Sequence, residues 1–134
     1  MAASWIEKRE QNRTYQIKKL SKKFADIPEG SQMLIATPKI IEDYMHTIPP
    51  GYKVDMKTLR NDLALQFGAD YTCPVTCGIY LRIVAEAACE ELKQGKNPTD
   101  ITPFWRAIDV HSKVASKLSC GISFLAKQQR LELE

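Results

Sequence analysis

The run Thr102–Asp109, TPFWRAID, sets two bulky aromatics and an arginine directly behind a stiffening proline, then alternates apolar and polar residues. That alternation predicts a short strand. Its side chains have two readings. Phe104 and Trp105 are core packing with Arg106 as their ion-pair partner, or they wall a pocket that receives a planar ring by stacking and cation–π attraction.

Downstream, VHSKVASKLSCG (110–121) is a polar connection in which Lys113 and Lys117 flank alternating residues. It reads as a hairpin wing resting on phosphates or as a plain exposed loop. Ser123 is placed to cap a last short helix, Phe124 to Glu132.

Upstream, Pro74 opens a helix to about Gln94, with Gly95 as its stop. Ile79, Tyr80, Ile83, Val84, Ala87, Ala88 and Leu92 are expected to form a broad buried face. Gly78, Arg82, Glu86, Cys89 and Lys93 lie opposite at spacings of three or four. Gly78 costs about 1 kcal/mol relative to alanine in a helix interior, which asks for a close neighbour: a nucleic-acid strand or another helix. Arg82 lies in the first half, whereas Glu86, Glu90 and Glu91 crowd the second, so a groove would be read by the N-terminal half.

Before it, Thr37-Pro38 starts a helix stopped by Pro49-Pro50-Gly51. Asp55 caps another over roughly 56–67, ended by Gly68. Ala69 to Cys73 is the tight turn from this helix to the one that Pro74 opens, and two helices so joined, followed by an extended segment and a possible wing, are a helix-turn-helix arrangement. Residues 4–25 are expected to form a single basic helix, with Trp5, Ile17, Leu20 and Phe24 as a broken apolar stripe. The domain plan is an N-terminal helical arm over 1–36 and a winged-helix-like DNA-binding domain over 37–134. The fold class expected is mainly α, with a short strand or wing.

A chain of 134 residues with 44% hydrophobic and 26% charged content has the make-up of one soluble domain, without room for a second. No apolar run reaches bilayer-spanning length. MAASWIEKREQNR lacks the apolar core of a secretory signal, which points to a cytoplasmic protein whose four cysteines are free thiols. Cys73 and Cys77 straddle Pro74 with no histidine near, so neither a metal nor another cofactor is expected. The net charge of +3 is uneven: residues 1–25 hold seven Lys/Arg against Glu7 and Glu10, leaving the remainder at −2. Attraction for a polyanion is therefore local.

Taken in order, Ile48-Pro49-Pro50-Gly51 with Lys53-Val54, Leu63-Ala64, Gly78 with Arg82, and Pro103-Phe104-Trp105-Arg106-Ala107-Ile108 resemble the DNA-binding domain of alkylguanine-DNA alkyltransferases. The non-catalytic alkyltransferase-like proteins are the better match. The resemblance covers about residues 37–132. It implies a winged helix whose recognition helix carries Gly-x-x-x-Arg, with Arg82 where the family's arginine finger fills the gap left by a flipped nucleotide. The family's nucleophilic cysteine and its adjacent histidine fall on Phe104 and Trp105, so alkyl transfer by that mechanism is excluded. The alkyltransferase-like proteins carry tryptophan at the first position and keep the histidine, so this chain departs from them too. The family's phosphate-rotating tyrosine falls near Met56 or Lys57, and no tyrosine is there.

The expectation is therefore a non-enzymatic protein that binds double-stranded DNA, recognising alkylated or damaged bases for repair. Lys53, Lys57, Arg60, Lys113 and Lys117 are its phosphate contacts, with Gly78 and Arg82 at the groove. Pro103, Phe104, Trp105 and Arg106 form its base pocket. Two alternatives stand beside it. One is a protein-interaction module on the same fold, using the apolar stripe of the first helix. The other is an enzyme with Cys89 or Cys120 as alkyl acceptor.

Overall fold

The computed structural model describes residues 4–133. Ser4 opens α1, Trp5–Glu10, with a reciprocal cap: its hydroxyl accepts from the Glu7 N–H at 3.1 Å, and the Glu7 carboxylate accepts from the Ser4 N–H at 3.3 Å. The helix ends at once, because Gln11 is extended (φ −57°, ψ 135°). The chain continues as β1, Gln16–Lys19, antiparallel to β2, Gln32–Ile35, with Ile17 opposite Leu34 and Lys19 opposite Gln32. A helix and a hairpin thus replace the single helix expected over 4–25. Between Ile6 and Tyr15 no apolar residue supplies a stripe for a long helix to bury, and Thr14, Tyr15 and Ile17 favour extended backbone.

β3, Tyr71–Thr72, runs parallel to β2 and completes a sheet of order β1-β2-β3. A parallel pair needs a long crossover, and two helices supply it. α2, Pro38–Thr47, is capped by Thr37, whose hydroxyl accepts from the Ile40 N–H at 3.2 Å. α3, Met56–Gln66, is capped by Asp55, which accepts from the Thr58 N–H at 2.8 Å. Gly68 follows in the left-handed region (φ 70°), where a side chain would be strained. α4, Pro74–Lys93, is the long helix, and it buries Leu81, Val84, Ala85 and Ala88. Leu34 and Ala36 join Ile41, Met45, Leu63 and Val84 in one core, so the first 36 residues and the rest share it.

The C-terminal third departs from expectation at several points, the smallest being that α6 starts at Ile122 behind Gly121, which puts Ser123 inside the helix and not at its cap. Phe104–Arg106 is a single 3-10 turn, not a strand, closed by Arg106 N–H to Pro103 O at 3.1 Å and Ala107 N–H to Phe104 O at 3.0 Å. A strand sends successive side chains to opposite faces, whereas here Phe104 and Trp105 are both buried. Their ring centroids lie 5.4 Å apart, and Phe124 sits 6.1 and 6.2 Å from them. The expected hairpin wing is instead the short helix α5, Lys113–Lys117, capped by Ser112. α6, Ile122–Glu132, closes the chain. Cys89 of α4 and Cys120, just after α5, form a disulfide, so these two are not free thiols; Cys73 and Cys77 are free and buried.

Candidate nucleic-acid interface

Val75, Gly78, Ile79 and Arg82 follow one another at helical spacing along the first half of α4, and Val75 and Ile79 are each 53% exposed. Ile79 thus lies on the open face and not the buried one expected, while Glu86 and Cys89, expected opposite the core, are buried. A Cβ built on Gly78 meets nothing within 4 Å. Tight packing of a neighbouring helix is thereby ruled out as the reason for this glycine. Gly78→Ala is expected to raise folding stability by about 0.5–1 kcal/mol, read as a shift of the urea midpoint at unchanged slope. A loss of stability would mean a hidden contact on this face.

The same face lines a cavity of about 500 Å³. Trp5 and Lys8 reach it from α1, Arg82 from α4, Lys113 and Lys117 from α5, with Val75, Ile79 and Val114 supplying apolar wall. Four cations thus converge from three elements that are distant in the chain. The Arg82 guanidinium carbon lies 5.1 Å from the centre of the Trp5 ring, and the Lys8 Nζ lies 4.4 Å from it. Glu86, one turn on, reaches Arg82 at 3.7 Å but is turned toward Ser119, whose N–H and hydroxyl both donate to it. The Arg82 side chain is 36% exposed, although its Nε is buried without a hydrogen-bond partner among the described residues.

α1 is held against the body by a buried charge cluster. The Arg9 guanidinium reaches Glu91 at 2.5 Å and Glu42 at 3.4 Å, and all three side chains are almost fully buried. Lys96 pairs with Glu91; Lys39 and the Thr102 hydroxyl reach Glu42. Glu90 accepts from the backbone N–H groups of Trp5, at 2.6 Å, and Ile6, at 3.4 Å. Trp5 is therefore carried on a fixed support. Sequence reasoning placed Trp5 on an apolar stripe and passed over Lys8, since no local signal shows that the first turn of the chain returns to α4.

Of the expected contacts, Gly78, Arg82, Lys113 and Lys117 come together, and others fall elsewhere. Lys53 lines an adjoining cavity of about 260 Å³, bordered also by Met56, Leu81, Ala107 and Ile108, with Val114 shared between the two. Lys57 is exposed on the first turn of α3 and lines neither. Arg60 is not a free phosphate contact: it donates to the Thr72 carbonyl and to both oxygens of Asp26, each at 2.9 Å. Those bonds from Arg60 hold the Asp26 carboxyl below its usual range. They tie the loop before β2 to α3.

The base pocket expected from Pro103, Phe104, Trp105 and Arg106 is also corrected. Phe104 is fully buried. The Trp105 indole N–H donates to Glu132 at 2.8 Å, while Arg106 pairs with the same carboxylate at 2.7 Å and donates to the Ile48 carbonyl at 2.8 Å. Burial pushes the Glu132 carboxyl up, but these bonds outweigh it and leave it below its usual range. Pro103, Trp105 and Arg106 border a separate cavity of about 480 Å³ that shares no residue with the Arg82 groove. The packing alternative for this stretch is the one the structure has.

Compared with known proteins, the chain matches no family model, no curated protein and no solved structure. Among the described residues, no helix is long and apolar enough to cross a membrane.

Proposed function

We propose that this is a non-enzymatic DNA-binding protein of the alkyltransferase-like type, built on a mainly α domain, that grips duplex DNA and recognises damaged or alkylated bases. The observation that carries the reading is the convergence of Lys8, Arg82, Lys113 and Lys117 on the Gly78 face of α4. Lysine and arginine at that density suit a run of phosphates, and a helix face without a side chain at Gly78 lets a backbone approach. The neighbouring cavity lined by Met56, Leu81, Ala107 and Ile108 offers the space for a modified base.

The chemistry of the thiols supports the non-enzymatic reading. The position of the family's nucleophile is the buried Phe104. Burial pushes the Cys77 thiol up to about 12, far from the thiolate that attacks carbon. Cys89 and Cys120 are bonded to each other, which removes both candidate acceptors. A protein-interaction module is the second reading, and the half-exposed Val75 and Ile79 favour it. The apolar stripe first expected to serve it is gone, because no helix spans residues 4–25.

Anisotropy titration of duplex DNA at two salt concentrations tests the proposal. Affinity is expected to fall steeply with salt, with each phosphate contact adding about −0.9 to the logarithmic slope. Arg82→Ala is expected to raise Kd about 10- to 100-fold, the range for removing a charged hydrogen bond. Absence of binding at low salt, with a stable oligomer by light scattering, would turn the assignment over to the interaction module.

A further inference from the structure

Resting on that reading, we propose that the groove between α1 and α4 is a stacking site for an unpaired nucleic-acid base. Trp5 is its platform, and Lys8, Arg82, Lys113 and Lys117 hold the flanking phosphates. The first support is rigidity. Glu90 fixes the backbone of Trp5 and Ile6, and Arg9 anchors the same short helix to Glu42 and Glu91, so the indole is held over α4. The second is what covers the ring. Lys8 and Arg82 both sit over it in the free protein, at 4.4 and 5.1 Å. Trp5 is half-buried, and a cation over such a ring is held more weakly than one in a charge-assisted bond to phosphate. A strand entering the groove therefore draws both cations onto its backbone and leaves the indole face to a base.

The surroundings fit an alternation of flat apolar and anionic groups. Val75, Ile79 and Val114 form apolar wall beside the indole, and the Gly78 surface is open. Two carboxylates lie near and are both engaged, Glu86 by Ser119 and by Arg82 at 3.7 Å and Glu90 by the Trp5 and Ile6 N–H groups, and four cations outnumber them at the groove. A lipid headgroup would satisfy the cations but make no use of the ring. A nucleotide strand uses both, since every base has a π-face.

The test uses the unmodified chain and two single strands of equal length, an oligothymidylate and the same phosphodiester chain lacking bases. Binding is read by anisotropy, and exposure of tryptophan by acrylamide quenching. Trp105 is 4% exposed and shielded from acrylamide, so the quenching reports Trp5. Both strands are expected to bind, but only oligothymidylate is expected to lower the quenching constant, by about twofold, as a base covers the ring. Trp5→Ala is expected to weaken oligothymidylate binding about 10-fold while Trp5→Phe restores most of it, with the base-free strand affected by neither. Equal quenching with both strands bound overturns the stacking site and leaves DNA binding intact. Failure of both strands and of duplex to bind overturns the functional reading and the stacking site together. The quenching comparison stands even where Trp5→Ala lowers stability.

Discussion

Arg9→Ala is expected to lower folding stability by about 3 kcal/mol, the low end of the range for removing one partner of a buried ion pair. Arg9 bridges Glu91 at 2.5 Å and Glu42 at 3.4 Å, and side chains of 9–10% exposure leave little water to replace it. The low end applies because Lys96 and Lys39, both half or more exposed, still face the two carboxylates. A loss of that size is a large share of the stability of a domain this long, and it moves a urea midpoint by about 1–2 M. The damage should be local first: hydrogen exchange over residues 4–10 is expected to rise before that of α4. A pH series reads the same cluster. Burial alone would raise the Glu91 pKa, but hydrogen bonds from Lys96 and Arg9 outweigh it and hold it below the usual carboxylate range. A group with a depressed folded pKa stabilises fully above its unfolded value and loses that contribution as pH falls through the folded one. Release of α1 is therefore expected in acid, and Arg9→Ala should flatten that dependence. An exchange pattern in the variant that matches the parent would show that α1 is held by apolar contact alone.

The helices that frame the groove were legible because their ends carry chemistry. Thr37-Pro38, Asp55 and Pro74 start α2, α3 and α4 where expected, and Gly68 and Gly95 follow the last turns with positive φ. Each signal is local, a cap or a backbone preference within a few residues, so one sequence suffices. The failures share the opposite cause. Thr14, Tyr15 and Ile17 carry a local preference for extended backbone, but the partner that turns it into a strand, β2, lies outside that stretch. Arg60 has the look of a phosphate contact until Asp26, from the loop ahead of β2, meets it. Phe104, Trp105 and Arg106 are ambiguous in sequence for the same reason: their partners Phe124 and Glu132 come from the last helix. At the site itself, the face shared by Gly78 and Arg82 follows from helical spacing, and Lys113 and Lys117 were expected on a wing but sit on a helix. Trp5 and Lys8 escape sequence reasoning, since the fold brings them to Arg82 through the Arg9 cluster and that cluster is tertiary throughout.

Reduction of the Cys89–Cys120 disulfide is expected to lower stability by about 3–4 kcal/mol, the chain-entropy value for a bridge spanning 31 residues. For a domain of this length that is a fall in Tm of about 10 °C or more, measured by thermal melts with and without a dithiol reductant. Cys89→Ser with Cys120→Ser should reproduce it without the reductant, and the free Cys73 and Cys77 are not part of it. The consequence for binding follows from where the bridge lies. One cysteine is on α4, two turns beyond Arg82, and the other follows α5, which carries Lys113 and Lys117. α5 is only five residues long, too short to hold its own shape, and it relies on Ala115, Leu118 and this bridge for its place. With the bridge open, the two lysines are expected to leave the groove, and the salt slope for DNA should fall by about 2, one for each phosphate no longer neutralised. The Ser119 bonds to Glu86 remain, so the loop is loosened rather than detached. A reduced protein that melts earlier but keeps its salt slope would show that α5 stays docked through apolar packing, which would confine the disulfide to stability. A Tm indifferent to reductant would mean the two sulfurs are not bridged in solution, and the free-thiol expectation of an intracellular chain would stand.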